Sequence, residues 1–69
     1  MYKVIASNGS RIQKENLDSV IELQEFAERM QLKGYLNLVV EHTRLSGYVT
    51  VFSFIFNGQT WDRLISNKL

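Results

Sequence analysis

The sequence predicts an α+β fold in which a single helix packs on a small antiparallel β-sheet, in the order β(β)αβββ. Three observations predict it. One amphipathic stretch, from about Leu17 to Lys33, repeats apolar residues at intervals of three and four. Two Asn-Gly pairs, Asn8-Gly9 and Asn57-Gly58, each separate two short runs, and Asn-Gly tolerates the positive φ of a type I′ hairpin turn. The run from Val49 to Phe56 is apolar on both faces of the strand it must form, because alternate side chains of a strand point to opposite sides.

The first strand is Tyr2–Ser7. The Asn8-Gly9 turn leads to Ser10–Lys14, which is bracketed in the predicted order because Ile12 is the one large apolar residue after the turn. The helix follows, with Val20, Leu23, Ala27 and Met30 in its apolar stripe, Leu17 before them and Phe26 alongside. Asn16 can cap its start; Ser19-Val20-Ile21-Glu22 is an alternative capping box three residues later. Gly34 suits the position just past the helix end.

Tyr35–Thr43 reads as a strand, and Arg44-Leu45-Ser46-Gly47 as the turn into Tyr48–Phe56. A two- or four-residue loop pairs Thr43 with Tyr48 and Val39 with Phe52. Residues opposite one another share a face. One face then holds Leu36, Leu38, Val40, Val49, Val51, Ile55 and Leu64, and the other Tyr35, Val39, Tyr48, Phe52, Phe54, Phe56 and Trp61. A three-residue loop exchanges the faces of the Tyr35–Thr43 strand. The second Asn-Gly turn leads to Gln59–Ile65, placing Trp61 opposite Phe54 and Arg63 opposite Phe52. Short connections make the last three strands a meander. One helix covers one face, so an apolar face remains for a second copy or another partner.

Size and composition narrow the options. Sixty-nine residues make one domain, residues 1–69. A chain of this length buries only about 60% of its unfolded surface, so association matters to its stability. There is no cysteine and one histidine, which excludes disulfides and a zinc-type cluster, and no cofactor is expected. The formal charge of +1 removes the strongest argument for nucleic acid, a large basic excess. The N-terminal run Met1–Ala6 is too short for a signal peptide, and no apolar stretch approaches the ~20 residues of a membrane span, so a cytoplasmic protein is expected.

No residue set announces a reaction. His42 has Glu41 and Thr43 beside it on a strand, where neighbours face opposite ways, so Glu41 cannot orient it. No catalytic, cofactor-binding or metal residues are assigned. Glu22, Glu25 and Glu28 read as a solvated helix face, with phosphate mimicry against a basic groove as the functional variant. The aromatic set reads as core against the helix rather than as a base-stacking platform with Arg63 and Arg44, which would be the nucleic-acid alternative.

The lone helix Leu17–Lys33, the Gly34 break, the paired strands Tyr35–Thr43 and Tyr48–Phe56, and the Asn57-Gly58…Trp61 turn give a pattern that resembles the small, phage-encoded anti-CRISPR inhibitors. The resemblance is one of size and element order. It implies an inhibitor that binds a host effector complex and performs no chemistry itself. The expectation is therefore a non-enzymatic binding protein, a homodimer, that modulates a larger protein or nucleoprotein. The structural subunit of a larger assembly is the other alternative. The candidate contact residues are Glu22, Glu25, Glu28, Tyr35, Asn37, Tyr48, Trp61 and Arg63.

Overall fold

A computed structural model of the chain describes residues 1–64. Two strands, β1 (Tyr2–Asn8) and β2 (Arg11–Leu17), precede the helix α1 (Val20–Leu32); β3 (Asn37–Thr43), β4 (Val49–Phe56) and β5 (Trp61–Leu64) follow it. They form one antiparallel sheet in the order β2-β1-β3-β4-β5. The last three strands form a meander, and α1 carries the chain across so that β3 pairs with β1. Ile65, expected in the last strand, lies outside the described residues.

The bracketed strand forms, and it runs to Leu17 rather than stopping at Lys14. Every position of β1 has a partner, from Asn8 opposite Arg11 to Tyr2 opposite Leu17. Backbone pairing carries this polar segment, and Leu17 anchors its end in the core. The helix consequently begins later than its periodicity suggested. Ser19 is the N-cap, its Oγ accepting from the Glu22 amide at 3.2 Å, while Glu22 Oε1 accepts from the Asp18 amide at 2.9 Å. Asn16 is not a cap; it sits in β2 opposite Lys3.

The helix ends in a Schellman motif. Gly34, at φ +88°, lets the Gly34 amide reach the Gln31 carbonyl (3.0 Å) and the Tyr35 amide reach the Met30 carbonyl (2.9 Å). The accompanying hydrophobic contact joins Met30 and Tyr35, both buried. Asn8 Nδ2 donates to the Gly34 carbonyl at 2.9 Å, and the Arg11 guanidinium lies over the Tyr35 ring at 4.8 Å. The first hairpin thus clamps the helix end.

The β3–β4 loop has three residues, Leu45 to Gly47. The Arg44 amide donates to the Tyr48 carbonyl (2.9 Å), the Gly47 amide to the Arg44 carbonyl (2.8 Å), and Gly47 takes φ +89°. A turn followed by a left-handed glycine is the usual three-residue hairpin. Thr43 therefore pairs with Val49 and Val40 with Phe52, one step away from the even-loop register. That step moves Leu38 and Val40 to the face of Phe52 and Phe54, and Val39 to the face of Val49, Val51 and Ile55.

Neither Asn-Gly pair forms the expected type I′ turn. No non-glycine residue has positive φ among the described residues, and the two-residue loops are Gly9-Ser10 and Gly58-Gln59, with glycine first, as a II′ turn requires. Asn57 acts as a turn organiser instead: its Oδ1 accepts from the Gln59 (2.8 Å) and Thr60 (2.9 Å) amides. Trp61 consequently opposes Phe56 rather than Phe54, and Arg63 opposes Phe54 rather than Phe52. A two-residue slip preserves facing, so both stay with the aromatic set.

The helix packs on the aromatic face. Phe26 is fully buried and Met30 nearly so, over Val4, Ala6, Leu38 and Val40 of the two inner strands β1 and β3. Phe26, expected alongside the stripe, is at its centre, and Val20, expected within it, is half exposed at the helix start.

Candidate functional site

Sheet strands are spaced about 4.8 Å apart, so five of them present a face roughly 24 Å wide. A helix with its side chains is about 10–12 Å across. One helix over β1 and β3 therefore leaves the sheet uncovered on both flanks. On the β4–β5 flank lies a groove of about 590 Å³ whose walls include Leu23 and Ala27 of α1, Leu38 and Val40 of β3, Phe54 and Trp61. Gln24, Glu28 and Thr60 form its polar rim. Trp61 is set by two contacts: its Nε1 donates to the Ala27 carbonyl at 3.3 Å, and its ring leans on Phe56 at 5.2 Å between centroids. The edge strand is thereby tied to the helix across the groove floor.

On the β2 flank a smaller cleft of about 480 Å³ lies between Glu15 and Leu17 on one side and Glu22, Glu25, Glu28, Arg29 and Leu32 on the other. Arg29 pairs with Glu15 at 3.6 Å, an exposed ion pair of small energetic weight.

The opposite face of the sheet carries no helix. By register it presents Lys3, Ile5 and Ser7 of β1, Asn37, Val39, Glu41 and Thr43 of β3, and Val49, Val51, Ser53 and Ile55 of β4. Val49, Val51, Ile55 and Leu64 are exposed by 47%, 57%, 41% and 51%, and Ile5 and Val39 are half-buried. Together they form an exposed aliphatic patch on the helix-free side of the sheet.

The candidate residues do not converge on one surface. Glu22, Glu25 and Glu28 are exposed along α1, with Glu22 engaged in the cap. Glu28 and Trp61 meet at the groove. Arg63 shares the helix side of the sheet, its guanidinium over the Phe52 ring at 4.8 Å. Asn37 lies on the other face, and Tyr48, 65% exposed, closes the β3–β4 loop opposite Arg44, whose guanidinium lies over its ring. Tyr35 is a correction: only 5% exposed, it is a core residue, because the Schellman turn directs it inward under Arg11. The groove walls Leu23, Ala27, Leu38, Val40 and Phe54 were not among the candidates. They come together only through the mismatch in width between one helix and five strands, which no single segment displays.

His42 stacks on Tyr2 with centroids 4.5 Å apart, and Glu41 points to the other face, as strand alternation requires. Thr50, opposite His42, has a buried hydroxyl oxygen with no hydrogen-bond partner among the described residues. No helix among the described residues is long and apolar enough to cross a membrane. No group of three or more His, Cys, Asp or Glu among them is arranged to hold a metal ion.

No protein-family model, curated protein or solved structure matches this chain.

Proposed function

We propose that this chain is a non-catalytic binding protein that engages a larger protein or nucleoprotein complex through the groove between α1 and the β4–β5 half of the sheet, and modulates that complex by occupying the contact. The supporting observation is the groove floor: Phe54 and Trp61, half-buried, stand beside Leu23 and Ala27 with the carboxylate of Glu28 at the rim. Its volume falls within the ~300–1,000 Å³ of ligand clefts. The vacant β4–β5 flank is narrower than a helix, so an occupant enters it with one row of side chains rather than with its whole width. The fitting occupant is an amphipathic helix whose apolar stripe enters the groove and whose cationic side chains face Glu28. The resemblance to anti-CRISPR inhibitors adds the class of target to this proposal: a host effector complex.

Trp61 is the chain's one tryptophan, so its emission reports groove occupancy directly. The test is a fluorescence titration with a helical peptide carrying apolar residues at i, i+3, i+4 and i+7 flanked by lysines, against a shuffled peptide of equal composition. We expect a saturable blue shift with the patterned peptide alone. Gln24→Phe, which fills the rim, should remove it, and Glu28→Lys should weaken it. Equal responses to both peptides, or none, would overturn the reading. A salt-sensitive response to a single-stranded oligonucleotide in the same titration would transfer it to nucleic acid.

A further inference from the structure

The exposed turn from Asn57 to Thr60 brings a nucleophile, an electrophile and supporting donors together, and we propose that it is a self-modification site: Asn57 and Gly58 react with each other and with water, leaving an aspartyl or isoaspartyl residue at position 57. The electrophile is the side-chain amide carbon of Asn57, and the nucleophile is the Gly58 backbone nitrogen. Asn57 Oδ1 accepts from the Gln59 amide at 2.8 Å and the Thr60 amide at 2.9 Å. Both donors are aimed at the oxygen on which negative charge develops when the carbon turns tetrahedral, as in an oxyanion hole. The ring closed by the Gln59 hydrogen bond encloses the Gly58 nitrogen, so the side chain stays curled over the bond to be made. The Gly58 N–H has no acceptor among the described residues, and nothing lies within 4 Å of where a Cβ would stand on Gly58. The leaving nitrogen, Asn57 Nδ2, donates to Asp62 Oδ2 at 2.9 Å and to Thr60 Oγ1 at 3.4 Å. The Asp62 carboxylate is therefore placed to carry a proton from solvent to that nitrogen.

The Gly58 nitrogen gives its proton to hydroxide from solvent and bonds to the Asn57 amide carbon, while the carbonyl pair moves onto Oδ1. When that pair returns, the bond from carbon to Nδ2 breaks, and Nδ2 leaves as ammonia with the proton delivered through Asp62. Water then opens the cyclic imide at either carbonyl. In sum an amide and a water become a carboxylate and ammonium. Asn8-Gly9 has the same two residues without these supports: Asn8 is half-buried, its Nδ2 donates to the Gly34 carbonyl at 2.9 Å, and nothing donates to its Oδ1 among the described residues. Conversion at position 57 sets a carboxylate where an amide donated to Asp62, so a hydrogen bond gives way to repulsion between like charges. The isoaspartyl form also lengthens the backbone of the turn by a methylene. Both changes loosen the β4–β5 hairpin and with it Trp61, whose Nε1 is held at the Ala27 carbonyl. The reaction is independent of what the groove binds; only its effect on groove occupancy rests on the binding function proposed above.

The test is incubation of the full chain at neutral pH, folded in buffer and unfolded in guanidinium chloride, followed by digestion and peptide mass spectrometry, which reads both Asn-Gly sites in each sample. Asn57 should convert faster in the folded chain than in the unfolded one, and Asn8 more slowly. Asp62→Asn keeps an acceptor for the Asn57 amide but removes the carboxylate; far-ultraviolet circular dichroism checks its fold. It should slow conversion of Asn57 by about tenfold or more in buffer and leave the rate in denaturant unchanged. As folded wild type converts, Trp61 emission should move to longer wavelength. An Asn57 that converts no faster folded than unfolded would overturn the inference, and that comparison needs no variant. A folded Asp62→Asn chain that converts at the wild-type rate would overturn it too. Unchanged emission after conversion would overturn the loosening of the hairpin.

Discussion

Single residues decide where the helix starts and how its end is fixed. Ser19 and Asn16 are both chemically able to cap, and the apolar periodicity that begins at Leu17 favoured Asn16 while the capping box with Glu22 favoured Ser19. The choice falls to Ser19 because β1 claims Asn16 for the ladder. Ser19→Ala should therefore cost about 1 kcal/mol in urea unfolding, while Asn16→Ala should change stability by less than about 0.5 kcal/mol. If the two substitutions cost the same, the cap assignment is wrong. At this scale much was legible in advance: the alternative capping box, the Gly34 stop and the separation of His42 from Glu41. Tyr35 was misread because its exposure depends on the direction in which the helix terminates, and that is set by the Schellman hydrogen bonds.

At the scale of elements, the β3–β4 loop governs which side chains meet the helix. Arg44-Leu45-Ser46-Gly47-Tyr48 can close as an even or an odd loop, and the two differ by one step of register. Only the odd loop brings Leu38 and Val40 to the side of Phe26. The sequence admitted both because each left an apolar face somewhere; packing against the helix decides. A Cβ placed on Gly47 would meet nothing within 4 Å, so the cost of Gly47→Ala is backbone strain at φ +89° alone. We expect a loss of about 1–2 kcal/mol by thermal or urea unfolding. A neutral Gly47→Ala would show that the turn adopts another form. β2 was legible from the Asn8-Gly9 turn but only in brackets and only to Lys14, because its formation rests on backbone pairing, which leaves little trace in side-chain hydropathy.

For the whole molecule, one small core holds five strands and a helix together. Phe26 is its largest fully buried side chain, in contact with residues from the inner strands. Phe26→Ala should cost about 3–5 kcal/mol, a large fraction of the stability available to a chain of this size. The expected result is loss of the cooperative thermal transition, or a midpoint far below wild type; an unchanged midpoint would mean that the helix contributes little. The α+β class, the meander and the surplus of apolar surface were all readable from periodicity and turn residues. The groove was not, because it arises from a difference in width between one helix and five strands, a property of assembled elements rather than of any segment.

The two edges of the sheet carry a further consequence. β2 offers its outer edge with Arg11, Lys14 and Glu15 along it, and β5 offers only the four residues Trp61–Leu64. Charged and abbreviated edges are poor templates for strand addition. Lateral growth into fibrils is thereby discouraged on both sides, although the chain displays ample aliphatic surface. The exposed aliphatic side chains face along the normal to the sheet rather than sideways from its edges. The same sequence that is generous with exposed valine and isoleucine thus guards its two open edges, and concentrated solutions of it should stay clear rather than gel.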